Sequence, residues 1–286
     1  MEHLTFSFIG GDMRQWSVIK MLSDEGYRIK TYGFDKLKGN TEEGLLDTIE
    51  NANYIVLPLP YTTDKITVNS PYSGEKILIE SLIEKIKKNQ VVLGGKLDKS
   101  IMERCRTCGI DIYDYANREE FAVMNAVPTA EGAIAAAMNN TDITIKGSRC
   151  LVIGYGRIGK VLSADLKALG ANVTATSRQT SVLAEIEAMG YSALKTDKIK
   201  DYVSDFDIIF NTVPHMVLGE RCLMATKKNV LIVDLASRPG GVDFNEAKRL
   251  KRKTLWELSL PGRVAPFTAG KIIKDTVLNM IEEMEV

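Results

Sequence analysis

The hexapeptide Gly154-Tyr155-Gly156-Arg157-Ile158-Gly159 constrains this chain more than any other stretch. It follows the apolar run 149–153 and opens a helical pattern that reaches Leu169. Gly170-Ala171 then turns into a second β-rich run, 172–176. A GxGxxG placed between strand and helix in a βαβ unit predicts a dinucleotide-binding corner. Gly154 permits the tight turn, Gly156 lets backbone approach a diphosphate, and Gly159 lets helix and strand pack closely. Tyr155, Arg157 and Ile158 belong to the same corner, whose helix N-terminus offers N–H groups and a positive dipole end to phosphates.

The same alternation of short β-rich runs and helical stretches occurs twice. The first half carries runs at 4–9, 28–33, 54–57, 91–94 and 110–113, with helical patterns at 12–25, 75–88 and 99–108. The second carries runs at 149–153, 172–176, 192–194, 207–210 and 230–234, with helical patterns at 157–169, 181–189 and 199–203. The runs are apolar on both faces, as in Cys150-Leu151-Val152-Ile153, which is the mark of parallel strands covered on both sides. The fold class expected is therefore α/β, with two Rossmann-like, doubly wound parallel-sheet domains. A length of 286 residues agrees with two domains at about 150 residues each. The expected boundaries are 1–128 for an N-terminal substrate or partner domain and 129–267 for the dinucleotide domain. An alanine-rich linking helix is expected over 129–140, starting at Pro128 or Thr129. A last helix over 268–286 is expected to pack back on the first domain. The stretches 36–41 and 61–74 read as irregular connections.

Ligand chemistry is expected where strands end. After 172–176 the chain reads Ser177-Arg178-Gln179-Thr180, with no carboxylate to take a ribose hydroxyl. Arg178 is suited to a phosphate on that ribose, with hydrogen bonds from Ser177 and Thr180, so NADP(H) is the expected cofactor and NAD(H) the alternative. Later strand ends carry Thr212, Pro214 and His215, then Ser237 and Arg238, then Arg263. Thr212, Pro214 and Ser237 are candidates for cofactor contacts. Arg238 and Arg263 are candidate forks for substrate carboxylates. His215 is the candidate proton shuttle, with packing or surface exposure as the alternative. Thr129 and Glu131 are expected near the start of the linking helix, either completing the floor of a substrate cleft or simply capping the helix. The N-terminal Gly10-Gly11-Asp12 turn lacks a third spaced glycine, which argues against a second dinucleotide site.

Composition removes several classes. Lys plus Arg equals Asp plus Glu at 37 each, so no net charge draws the chain to nucleic acid or an anionic membrane. No uninterrupted apolar run reaches the roughly 18 residues of a spanning helix. The first residues carry no signal-peptide pattern, so a cytoplasmic address is expected. Four cysteines with a single CxxC (Cys105, Cys108) and two histidines do not make a paired-spacing metal site, and no metal is expected.

The segments IGGDMRQ (9–15), NAVPTAEGAI (125–134), GYGRIG (154–159), NTVP (211–214), DLASRPGGVDF (234–244) and LPGRVAPFTAG (260–270) together resemble the family of dipicolinate synthase A subunits from spore-forming bacteria. The architecture of that family is similar to the D-2-hydroxyacid dehydrogenases. The resemblance implies oxidation of dihydrodipicolinate, a small dicarboxylate, to pyridine-2,6-dicarboxylate with a nicotinamide cofactor. It also implies the flavoprotein-like B subunit of dipicolinate synthase as partner and a setting in the mother cell of the sporangium. A homo-oligomer is compatible with it. The alternatives are a 2-hydroxyacid or amino-acid dehydrogenase and a non-catalytic NADP-binding subunit.

Overall fold

The structure, a computed structural model, describes residues 4–37 and 44–285, so most of the expected loop 36–41 lies outside the described residues. The chain divides into two compact units, one of Met1–Asn125 with Ala265–Val286 and one of Ala126–Val264.

In the first unit, strands β1 (Thr5–Ile9), β2 (Arg28–Tyr32), β3 (Tyr54–Val56), β4 (Val91–Gly94) and β5 (Asp111–Asp114) form one sheet in the order β2-β1-β3-β4-β5. All its pairings are parallel. This is the flavodoxin-like order, with its switch point between β1 and β3. Alternation along the strands divides the apolar residues between two layers. Phe6, Phe8 and Val56 pack with Val18 and Leu22 of helix Met13–Asp24 and with Ile273 and Val277 of helix Pro266–Glu285. Ile9, Ile55 and Val92 pack on the other face with Ile49, Leu82, Ile101 and Cys105. The last helix lies close on helix Met13–Asp24: a Cβ at Gly270 would fall 2.6 Å from the Arg14 carbonyl oxygen.

The helix expected over 75–88 is confined to Ile79–Ile83. The Val68 N–H donates to the Ile77 carbonyl at 2.9 Å and Thr67 bridges Leu78, which keeps the chain extended up to the helix. Cys105 lies on the buried face of helix Lys99–Cys108, and all four cysteines are free thiols.

In the second unit, β6 (Arg149–Ile153), β7 (Asn172–Ser177), β8 (Ser192–Lys195), β9 (Ile208–Asn211), β10 (Leu231–Asp234) and β11 (Lys253–Trp256) form a parallel sheet in the order β11-β10-β9-β6-β7-β8. This is the dinucleotide-fold order, and the direction in which the chain adds strands reverses between β6 and β9. Leu151 and Ile153 face one buried layer, and Cys150 and Val152 the other.

The linking helix corrects the sequence reading. It runs over Glu119–Met138, about three turns longer at its start, and Pro128 sits inside it. Glu119 and Glu120 supply the negative charge that suits a first turn. Pro128 removes one interior N–H and crowds the preceding turn, at a cost of about 3 kcal/mol that packing has to offset. Phe121 enters the first unit's core, and Ala130, Ala133, Ile134 and Ala137 enter the second's. By length and composition alone this helix is also long and apolar enough to cross a membrane, although polar residues interrupt it. About half of its apolar stretch is buried inside the protein.

Candidate functional site

The glycine corner stands at the β6/β9 switch point, where an open parallel sheet offers a crevice beyond its strand ends. Gly154 has φ +93°, a conformation that side chains rarely adopt, and its N–H donates to the Thr176 hydroxyl at 3.2 Å. Gly156 is the N-cap of helix Arg157–Ala168 and makes no side-chain cap, and a Cβ built on it meets nothing within 4 Å. Gly159 is the reverse: its Cβ would lie 2.1 Å from the Gly154 carbonyl oxygen, so only glycine lets the helix sit this close to the turn. Gly156 thus brings no side chain to the first turn, and the space beside its α-carbon is open.

The first unit's glycine turn is built differently. A Cβ on Gly11 would land 2.3 Å from Cγ of Gln15, because the Gln15 side chain occupies that position. Gln15 Nε2 donates to the Leu57 carbonyl at 3.0 Å and holds it there. Arg14, buried against Asp12, donates to its carboxylate at 2.7 Å and also to the Leu59 carbonyl. Asp12, the N-cap of helix Met13–Asp24, also accepts from the Arg14 N–H at 2.9 Å, whereas the N-cap of the second unit's corner is Gly156 and has no side chain.

Around the open corner, neighbouring strand ends are tied together by one buried carboxylate. Asp234, fully buried at the end of β10, accepts from Asn211 Nδ2 at 2.8 Å and the Ala236 N–H at 3.0 Å through one oxygen. Its other oxygen accepts from the Gly241 N–H at 2.8 Å. Asn211 in turn holds the next turn, donating to the Val213 carbonyl at 2.9 Å. Thr212 turns its hydroxyl inward to the Ile153 carbonyl at 2.9 Å, bracing the Gly154 corner from beneath. Asp234 and Asn211 were both visible as strand-end residues, but nothing in the sequence says that they bond to each other.

The other expected site residues fall as follows. Tyr155 is packed into the core against Tyr191, so its side chain is turned away from the crevice and only its backbone belongs to the turn. Ile158 rests on the same core, while Arg157 is exposed beside it. Ser177 uses its hydroxyl to accept from the Gln179 N–H at 3.1 Å. Arg178 is exposed and lines a cavity of about 520 Å³ with Lys195, Thr196, Asp197, Met216 and Val217. Ser237 and Arg238 are exposed on the loop after β10, with the Arg238 guanidinium 5.8 Å from the Trp256 ring centre. Trp256 Nε1 donates to the Ala236 carbonyl at 3.0 Å, so the ring is fixed beneath that loop. Arg263 is exposed and pairs with Glu257 at 2.6 Å. Pro214 and His215 are exposed, and His215 makes no ion pair among the described residues.

The longer helix places Thr129 and Glu131 in its interior. Neither is near a helix start, so neither caps one. Thr129 is buried. Glu131 acts on Asp165, whose carboxyl is raised above its ordinary range first by burial and then by that like charge. Asp165 is nine residues along helix Arg157–Ala168 from Gly156, about 13 Å at the helical rise.

Comparison with known proteins is consistent across sequence and structure. Residues 5–116 match the N-terminal domain of the dipicolinate synthase A subunit, and residues 118–247 match the D-isomer specific 2-hydroxyacid dehydrogenase NAD binding domain. The chain is 34% identical to the A subunit of dipicolinate synthase from Bacillus subtilis (strain 168), covering 99% of this chain and 97% of that protein. The crystal structure of the dipicolinate synthase A subunit from Bacillus halodurans superposes with a TM-score of 0.90 at 33% identity, covering 97% of each chain. The crystal structure of the corresponding protein from Bacillus subtilis gives 0.89 at 33% identity, covering 99% of this chain and 97% of that one.

Proposed function

Because this chain belongs to the family of dipicolinate synthase A subunits and carries a dehydrogenase-type NAD-binding domain, we propose that it oxidises dihydrodipicolinate to dipicolinate with NADP⁺. The observation that carries this reading is the open space at Gly156, the N-cap of its helix, set against the first unit, where the Asp12 side chain caps helix Met13–Asp24. The residues present fit a dinucleotide diphosphate: backbone N–H groups of the first turn receive it, and the absent Cβ of Gly156 lets it approach. When bound, the oxidised nicotinamide supplies the acceptor for a hydride.

This chain's own residues then do the rest of the work. The substrate loses one hydride and one proton and becomes aromatic, so the step runs downhill and needs orientation more than a strong base. Arg238 and Arg263 bind the two carboxylates by charge-assisted hydrogen bonds, Arg263 exchanging its Glu257 partner for substrate. Trp256 backs the Arg238 guanidinium and limits where it swings. The proton leaves to solvent. Oxidation of a 2-hydroxy acid would instead call for a base held by a carboxylate, and His215 lacks that partner among the described residues. The subunit designation of the relatives supports a partner chain, which we take to be the flavoprotein-like B subunit of the synthase, in the cytoplasm of the mother cell during sporulation.

The test mixes purified protein with NADP⁺ and freshly made dihydrodipicolinate, with and without the partner protein, and follows reduced-nicotinamide absorbance. Substrate-dependent reduction is expected. Cofactor binding without reduction in either mixture would make this a non-catalytic binding protein and overturn the reading.

A further inference from the structure

The cavity at the ends of β7 and β8 contains more positive charge than the strand-end sequence alone indicates. Parallel pairing sets Lys195, the last residue of β8, beside Ser177, the last residue of β7. Arg178 follows Ser177 directly, and helix Ile199–Tyr202 brings Lys200 to the same cavity of about 520 Å³. Arg178, Lys195 and Lys200 are all exposed, and none forms an ion pair among the described residues. Asp197 is the one carboxylate in the lining. Thr196 adds a hydroxyl, and Met216, Val217 and Cys222 complete the wall with an apolar face suited to a flat heteroaromatic ring.

We propose that Lys195 and Lys200 act with Arg178 as a three-cation receptor for a phosphate carried on the adenosine ribose, and that together they set the preference for the phosphorylated dinucleotide. This deepens the dinucleotide reading of the Gly154–Gly159 corner and rests on it. The geometry favours the assignment for two reasons. The ribose end of a dinucleotide seated on that corner lies at the end of the next strand, which is β7, and β8 is its hydrogen-bonded neighbour. Three like charges facing one cavity repel one another, and a doubly charged phosphate relieves that repulsion at a single point. Arg178 offers a planar fork, while the two lysines offer mobile point charges, so the three are chemically complementary partners for one phosphate.

The experiment is calorimetric titration of wild type, Arg178→Ala, Lys195→Ala and Lys200→Ala with NADP⁺ and with NAD⁺. All three positions are exposed, so the variants are expected to fold, and circular dichroism checks it. Lys195→Ala and Lys200→Ala should each weaken NADP⁺ by about five-fold or more and change NAD⁺ by less than about two-fold. Wild-type NADP⁺ affinity should also fall more steeply with salt than that of either lysine variant. If only Arg178→Ala loses NADP⁺ preference, the lysine assignment is overturned and the cofactor reading stands. If wild type binds NAD⁺ as tightly as NADP⁺, phosphate selectivity fails along with the assignment. If neither dinucleotide binds, the premise itself is lost.

Discussion

Replacing Asp234 should disable the second unit's crevice from within. In the native protein its two carboxylate oxygens accept three hydrogen bonds, from Asn211 Nδ2 and from the Ala236 and Gly241 N–H groups. Asp234→Ala strands two buried backbone donors, at about 1–3 kcal/mol each, plus part of an amide that keeps its second bond to Val213. The expected loss is about 3–6 kcal/mol, a large share of a domain's stability. Asp234→Asn keeps the shape and one acceptor but turns an amide N–H toward the Gly241 N–H, 2.8 Å from the oxygen it replaces. Its expected cost is about 1–3 kcal/mol. Urea unfolding followed by far-ultraviolet circular dichroism measures both. Tryptophan fluorescence adds a local signal, since Trp256 is bonded to the Ala236 carbonyl in the same loop. The loop carries Ser237 and Arg238, so Asp234→Asn, if folded at low temperature, should also bind NADP⁺ more weakly. An Asp234→Ala protein within about 1 kcal/mol of wild type would refute the idea that this carboxylate organises the strand ends.

Four further outcomes are expected. Gly159→Ala forces a Cβ into the Gly154 carbonyl, so it should weaken dinucleotide binding by about ten-fold or more and cost about 1–3 kcal/mol in urea unfolding; wild-type values in both would contradict the close-packing argument. Arg238→Ala and Arg263→Ala should each lower kcat/KM by about ten-fold or more, measured by steady-state reduction of NADP⁺, and unchanged kinetics in both would remove the carboxylate clamp. Arg178→Glu should abolish NADP⁺ preference in a binding titration, and an unchanged Kd would defeat the cofactor choice. Burial first of all, assisted at Cys105 by neighbouring Cys108, pushes the Cys105 and Cys150 thiols up to about 11. At about pH 8 both are overwhelmingly protonated, so a thiol reagent should spare them until the protein unfolds. Rapid modification of either, mapped by peptide mass, would show that the burial described is wrong.

The sheets were legible because parallel strands buried on both faces leave short apolar runs that periodicity locates to within a residue or two. Cys150-Leu151-Val152-Ile153 is one such run, and β6 ends where it ends. The glycine corner was legible because each of its glycines answers a separate steric demand. The short helices Leu45–Glu50, Glu220–Ala225 and Phe244–Arg249 were not, since six residues are too few to display a helical period. The linking helix was misread at its start because Pro128 resembles a helix-opening residue, and only packing of Phe121 and Ala126 shows that the helix is already under way. That shift puts Thr129 and Glu131 inside the helix instead of at its start. Strand pairing explains the remaining gap at the site. Lys195 is 18 positions from Ser177 along the chain and beside it in the sheet, and sequence spacing does not reveal such register. Gln15 filling the Gly11 cradle is likewise a fact of side-chain placement, although the missing third glycine pointed the same way.

The most direct measurement is a crystal structure of this protein grown with saturating NADP⁺. Diphosphate density against the Gly154–Gly159 turn, with the adenosine end toward Arg178, is the result expected. Density for the dinucleotide at the Gly10–Gly11 turn, or none at either turn while solution binding persists, would contradict the account.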